Sequence, residues 1–518
     1  MKTQSGIAAA IVLACVLAIG TTTAMSTSSF QMERMRVLNE EGSGRRGGFS
    51  IPLHKAEDTI KLIANGADPK VEISKLHWRL RGRAFPIHGG IYTMGAYFVN
   101  VTVGSGAGQV TVQALADTGS PNTAISSVEC TTCKSNKKYN ISRSPTAQLV
   151  PFTTGNASND PCQNCIPYAV GTDTVPDPGT IPTVERCMFG RPMNESGVCG
   201  FAISYGGTYA GITGVTVRDF ACIGSPLNPS RLCGHDIFIN LIENQYPTGT
   251  LSMGVLGLSF PHNACNPSCQ PTILDSLVAQ GVLKPEQDRY GMCLDAASGG
   301  NLDVGEYNPE AYYGNMSWAP LVKEHWFNIH VKAIKVNGVD IGVPEFMLNI
   351  VNEGLGAFVD SGTAGVFVSP YAFDMITDLM STNYSYLPCV QQLFVHGDCC
   401  NMTNAEAALY PPISFTIRGN AIPDTNETQY DTFDISMSGS NYLVLGPLVD
   451  PSFVTPSPHT PSPYGVPTPP PQLHQFCLAL AGVPSVAVVL GDVIMTNYYI
   501  AFDRYNKQVG FAPIKKCG

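Results

Sequence analysis

Two aspartates of this chain stand in nearly the same setting, 243 positions apart: Ala114-Leu115-Ala116-Asp117-Thr118-Gly119-Ser120 and Ala357-Phe358-Val359-Asp360-Ser361-Gly362-Thr363. Each places one carboxylate at the end of an apolar, strand-like run and just before a glycine turn. A single Asp-Thr/Ser-Gly triplet is ordinary loop chemistry. Two copies, one in each half of the chain, open a specific possibility. If Asp117 and Asp360 meet, two like charges in close contact cannot both ionise cheaply, and one proton is shared. The charged carboxyl can then deprotonate a bound water while the protonated one polarises a carbonyl. That is peptide hydrolysis by general acid and base, with no cofactor, metal or covalent intermediate, and acid conditions favour it. Gly119 and Gly362 let backbone N–H groups face the carboxylates, and Ser120 and Thr363 supply hydroxyl donors. Thr118 and Ser361 are placed to brace one loop against the other.

Rival chemistries fit less well. Cys130-x-x-Cys133 and Cys162-x-x-Cys165 have zinc-like spacing, but in an exported chain disulfides are the expected use. His325 and His330 fall on opposite faces if residues 326–331 are extended, which argues against joint metal ligation. No Gly-x-Ser-x-Gly elbow occurs.

The elements that must position the pair read as β-structure. Residues 97–103 and 109–115 alternate as strands around a Gly/Ser turn, a hairpin that leads straight into Asp117. Helical periodicity is best at 273–280 and 371–380, so few helices are expected. Both halves repeat one order of parts. Met253 to Leu258 follows the first motif and Ala487 to Asp492 the second, each an apolar run containing a glycine that would permit close backbone approach. The chain thus reads as two similar lobes with different insertions. One insertion is Cys-rich, between Cys130 and Cys199; the other, 447–472, holds ten prolines and cannot form a strand ladder.

A chain of 518 residues fits two domains plus appendages. Residues 1–24 read as a signal peptide, with Lys2, an apolar run from Ile7 to Ile19, and small residues at Thr22-Thr23-Ala24. Sixteen of the 17 cysteines then remain, enough for eight disulfides. Eight Asn-x-Ser/Thr sequons, at Asn100, Asn140, Asn156, Asn194, Asn315, Asn383, Asn401 and Asn426, agree with a glycosylating secretory route. No later run approaches about 18 apolar residues, and the C-terminal sequence is no lipid-anchor signal, so no stable membrane anchor is expected. Residues 25–83 carry 11 Lys/Arg against 7 Asp/Glu, whereas 84–518 carry 18 against 33. A basic leader on an acidic body suggests a segment held electrostatically and released by acid. The clusters Arg45-Arg46 and Arg79 to Arg83 suit proteolytic trimming. An acidic body would repel nucleic acid.

These residues resemble the pepsin-like aspartic proteases. The likeness runs in ordered blocks over most of 95–518: Asp117 to Ser120, Ile203 to Gly207, Gly254 to Leu258, Ala357 to Thr363, and Leu490-Gly491-Asp492 through Tyr498 to Arg504, ending near Val509 to Pro513. It implies an all-β, two-lobed β-barrel fold with an active-site cleft between the lobes, Asp117 and Asp360 as the catalytic pair, and Tyr205 with Gly206 on a flap that closes over peptide substrates. It further implies an inactive precursor whose prosegment, 25–83, starts its family-like stretch at Ile51 to Lys55 and sets a basic side chain, Lys55, Lys75 or Arg79, against the carboxylates. The lobes would then span 84–315 and 316–518. Expected partners are polypeptide substrates and the chain's own propeptide, in a monomer that is secreted or held in an acidic vacuole or lysosome. Pro121 departs from the family's usual second serine, and Ala124 stands where many members carry a tryptophan that bonds the flap tyrosine. The Cys130 to Cys199 insertion resembles the Cys-rich inserts of some plant and protist relatives. A catalytically silent binding or inhibitor protein of the same family is the alternative reading.

Overall fold

The computed structural model describes residues 83–91, 96–135, 137–150, 200–204, 211–228, 230–246, 254–264, 270–349, 355–422, 429–445, 473–484 and 486–517. The expected signal peptide, most of the leader, Tyr205, Gly206, the Cys162-x-x-Cys165 pair, most of the Cys-rich insertion and all of 447–471 lie outside these residues.

Strand-forming sequence dominates, and its alternation is legible in the packing. Along Ala96–Val103 the residues Tyr97, Val99, Val101 and Val103 are buried while Ala96, Phe98 and Asn100 are partly exposed, the period-two pattern of a strand with one face in the core. This strand pairs antiparallel with Val110–Asp117 in the register Val101 to Val112, so the expected hairpin forms. The helices also fall where periodicity placed them, at Ile273–Ala279 and Pro370–Asn383. The first starts in a capping box, Thr272 accepting from the Asp275 N–H while the Asp275 carboxylate accepts from the Thr272 N–H. In the second, Pro370 occupies the first turn behind the Ser369 cap, and Ala372, Ile376 and Met380 form its buried stripe.

The two halves carry the same strand arrangement around their aspartates. Val110–Asp117 runs parallel to Val255–Gly257, which pairs antiparallel with Thr123–Ser126, itself parallel to Leu232–Tyr246. In the second half Ala357–Val359 runs parallel to Val488–Leu490, which pairs antiparallel with Val366–Val368, itself parallel to Leu480–Gly482. Between these sets lies a shared layer in which Arg83–Gly90 joins Ala96–Val103 to Gly299–Val304, followed by Arg289–Asp295, Tyr498–Asp503, Gln508–Pro513 and Ser317–Pro320. The closing sequence Tyr498 to Arg504 is thus part of the layer that joins the halves. Arg504, 5% exposed, ends this run by pairing with Asp275 and, at 3.2 Å, with Asp288, and its guanidinium lies 5.3 Å from the Phe260 ring centre.

Five disulfides occur among the described residues: Cys130–Cys133, Cys222–Cys233, Cys293–Cys517, Cys389–Cys400 and Cys399–Cys477. The first confirms the disulfide reading of that CxxC pair over the zinc one. Among the described residues no helix is long and apolar enough to cross a membrane.

The joining layer also contains a buried acid, Asp303, which is fully buried on Gly299–Val304. Its Oδ2 accepts from the Tyr499 hydroxyl at 2.9 Å, and its Oδ1 has no partner among the described residues. Burial pushes its pKa up to about 7. The unfolded chain releases this proton near pH 4, so stability is full below that value and falls as pH rises towards about 7. Asp303→Asn keeps the acceptor for Tyr499 and cannot ionise. Its urea midpoint should therefore decline less between pH 4 and 7, by up to about 4 kcal/mol in unfolding free energy. An unchanged slope would show that this carboxyl is not the titrating group.

Candidate active site

Asp117 ends the strand Val110–Asp117, and its carbonyl accepts from the Leu258 N–H at 2.8 Å, so the parallel partner strand fixes the turn that follows. Asp360 follows Ala357–Val359, and its N–H donates to the Leu490 carbonyl at 3.0 Å. The glycines of the partner runs permit this closeness. A Cβ at Gly257 would come within 2.3 Å of the Asn122 nitrogen, and one at Gly491 within 2.2 Å of the Thr363 carbonyl oxygen.

The two carboxylates have matching supports. The Gly119 N–H donates to Asp117 Oδ1 at 2.8 Å and the Ser120 hydroxyl to Oδ2. The Gly362 N–H donates to Asp360 Oδ1 at 2.8 Å and the Thr363 hydroxyl to Oδ2 at 2.6 Å. The loops also cross. A Cβ built on Gly119 would fall 2.4 Å from Asp360 Oδ1, and one on Gly362 would fall 2.3 Å from Asp117 Oδ1. Each glycine therefore lies against the other half's carboxylate, and Asp117 and Asp360 are brought together.

Thr118 and Ser361, both fully buried, form the brace. The Thr118 N–H donates to Ser361 Oγ at 3.1 Å and the Ser361 N–H to Thr118 Oγ1 at 3.0 Å. Their hydroxyls go on to the opposite strands, Thr118 to the Val359 carbonyl at 3.1 Å and Ser361 to that of Ala116 at 2.6 Å. Thr118→Val would leave the Ser361 N–H and the Val359 carbonyl buried without these partners, and should cost about 1–3 kcal/mol. Thermal unfolding should register that loss, whereas Thr118→Ser, which keeps the hydroxyl, should remain close to the parent.

Electrostatics suits a shared proton. Burial, followed by the like charge of Asp360, drives the Asp117 pKa well above the usual carboxylate range, against the opposing bonds from Ser120 and Gly119. One proton between two such groups gives a base and an acid side by side. A third carboxyl, Asp492, lies nearby and was not among the candidates read from sequence. It is 1% exposed, its N–H donates to the Thr363 carbonyl at 2.8 Å, and its Oδ1 has no partner among the described residues. Burial, then the charges of Asp360 and Asp117, raises its pKa well above the usual carboxylate range. A signal was present in the internal repeat: Val-Leu-Gly-Leu in the first half is answered by Val-Leu-Gly-Asp in the second, an acid in place of Leu258.

Residues 324–327 form a turn, with Phe327 at φ 54°, so the extended run assumed for His325 and His330 does not form there; His330 pairs with Glu345, and His325 stacks on His262. No group of three or more potential metal ligands occurs among the described residues. Ala124 is fully buried in a small cluster with Leu115, the Cys130–Cys133 bridge, Phe201 and Ile212. Its methyl group offers no donor. Tyr205, its expected counterpart, lies outside the described residues.

Two equivalent strand sets, each delivering an aspartate to one braced floor, are the architecture of pepsin-like aspartic proteases. The chain belongs to the eukaryotic aspartyl protease family, whose profile matches residues 96–154 and 198–446. Among its relatives, cathepsin E of Aquarana catesbeiana is 24% identical over 436 residues, 81% of this chain and 79% of the relative. Pepsin-2B of Gadus morhua is 23% identical over 58% of this chain and 75% of its own length, and cathepsin D of Clupea harengus 25% identical over 60% and 65%.

Proposed function

We propose that this protein is an aspartic endopeptidase that hydrolyses peptide bonds in proteins at acid pH, with Asp117 and Asp360 as its catalytic pair. The observation that carries the reading is the reciprocal pair of carboxylates, each fully hydrogen-bonded from its own loop and each seated over the other's glycine. The ionised carboxyl takes a proton from a water held between the two, and the protonated carboxyl polarises the scissile carbonyl. The water oxygen adds to that carbon. The protonated carboxyl passes its proton to the carbonyl oxygen, giving a neutral gem-diol with one proton still on the pair. As the C–N bond breaks, the pair gives that proton to the leaving amine and takes one from a gem-diol hydroxyl, which leaves a carboxylic acid and regenerates the starting charge state. Thr118, Gly119, Ser120, Ser361, Gly362 and Thr363 hold the pair in place, and Tyr205 with Gly206 covers the substrate.

In this reading residues 1–24 direct export and 25–83 form an inhibitory prosegment that acid releases. The lobes span 84–315 and 316–518, and the mature monomer works outside the cell or in an acidic vacuole or lysosome. Acid treatment of the full chain should shorten its N-terminus and yield pepstatin-sensitive cleavage of an unfolded protein at about pH 3–5, with little at neutrality. Cleavage that pepstatin leaves untouched, or none across the acid range, would overturn the assignment.

A further inference from the structure

Two imidazoles stack on segments bonded to the aspartate loops and play no part in the chemistry above. His262 lies in the short turn Pro261–Ala264 and is exposed; His325 is half-buried. Their ring centres are 5.9 Å apart and their planes differ by 19°. Parallel rings do not aim two nitrogens at one point, so the arrangement is not that of a chelate.

The pair is tied to both aspartate strands. Phe260, two residues before His262, donates its N–H to the His325 carbonyl at 3.5 Å, and the preceding residues Leu258 and Ser259 bond the carbonyls of Asp117 and Ser120. On the other side the Trp326 ring lies 5.7 Å from that of Phe358. Phe358 is two positions before Asp360, so strand alternation turns both towards the same face. Phe260 is itself held beneath the Arg504 guanidinium and against Phe327. The imidazoles thus stand on two segments that are bonded or packed to the two aspartate strands, along which an extended peptide lying over the carboxylates would pass.

We propose that His262 and His325 form a specificity site that selects substrates with an Asp or Glu side chain a few residues from the scissile bond. This rests on the proposed peptidase reading. Lys323 adds positive charge at His325, and the carboxylate of the adjacent Glu324 is engaged by Lys507 at 2.7 Å. Burial, Lys323 and His262 all make a proton on His325 harder to hold, so a substrate carboxylate would relieve an existing repulsion. Free Asp and Glu ionise above about pH 4, so the attraction is absent where substrate carboxyls are protonated and fades again as the imidazoles lose their protons.

The test uses peptide pairs that differ only in Glu against Gln, placed in turn at the three positions on either side of the scissile bond. Cleavage is followed with the acid-treated protein, and binding of the same peptides with its Asp117→Asn form. At one position the Glu peptide should be preferred about 5–10-fold near pH 5 and not near pH 3, with the preference lost in His262→Gln and His262→Gln/His325→Gln. Because His262 is exposed, the single variant reads the site even where the double variant fails to fold. Equal binding of Glu and Gln peptides at every position, or a preference that survives His262→Gln, overturns the proposal. Peptides that bind with the expected preference but are never cleaved would instead refute the peptidase reading and leave the site standing.

Discussion

Asp117→Asn is expected to lower kcat/KM for any peptide substrate by at least about 10³-fold while leaving the protein folded, and more stable than its parent near neutral pH. The loss follows from what the pair must do. An amide at 117 neither takes a proton from water nor shares one with Asp360, so the acid and base roles disappear together. The gain in stability follows from burial. Asp117 is 4% exposed, and its pKa in the folded protein lies well above that of the unfolded chain. The folded protein thus keeps a proton that the unfolded chain gives up above about pH 4. Wild-type stability is full below that point and declines as pH rises towards the raised folded value. Asparagine escapes the decline and can still accept from the Gly119 N–H. Peptide turnover at acid pH and melting temperatures at pH 4 and 7 test both halves. Substantial residual turnover would remove Asp117 from the mechanism, and an unchanged pH dependence of melting would show that its proton is not held as the geometry requires.

Gly119→Ala and Gly362→Ala should each reduce kcat/KM by about 10²- to 10³-fold, although neither removes a functional group. The added methyl carbon would fall 2.4 Å from Asp360 Oδ1 in the first and 2.3 Å from Asp117 Oδ1 in the second. Real Cβ atoms do not approach oxygen so closely, so the opposing carboxylate or the loop beneath it must move. Displacements of this kind near the reacting groups cost orders of magnitude in rate, whereas overpacking costs about 1–3 kcal/mol in stability. The expected signature is a protein that melts within several degrees of its parent and scarcely turns over. Kinetics beside calorimetry on each variant measure it. Near-normal turnover would mean that the loops part easily and that the seating of each carboxylate over the opposite glycine is not needed.

Much of this architecture was legible in the order of residues. The twin Asp-x-Gly settings, the hairpin before Asp117, the apolar runs ending in Gly257 and Gly491, and both longer helices rest on local rules: strand alternation, caps, and the space a missing Cβ leaves. A local rule acts between neighbours in the chain, so the chain itself reveals it. The reservation of Thr118 and Ser361 for bracing was also readable, because the two motifs carry hydroxyls at the same offset.

Other features depend on which distant segments meet. Asp303 and Asp492 look like ordinary acids in sequence. Only the fold buries them, one in the layer that joins the halves and the other near Asp117 and Asp360, and burial is the first cause that raises their pKa values. The stacking of His262 on His325 likewise joins segments that no periodicity links. The twin acid-glycine motifs, read alone, determine that each loop can present a carboxylate to its own backbone. The tertiary structure decides that each glycine lies beneath the other loop's carboxylate, because the brace at Thr118 and Ser361 brings the two turns within contact distance, where one proton must serve both acids.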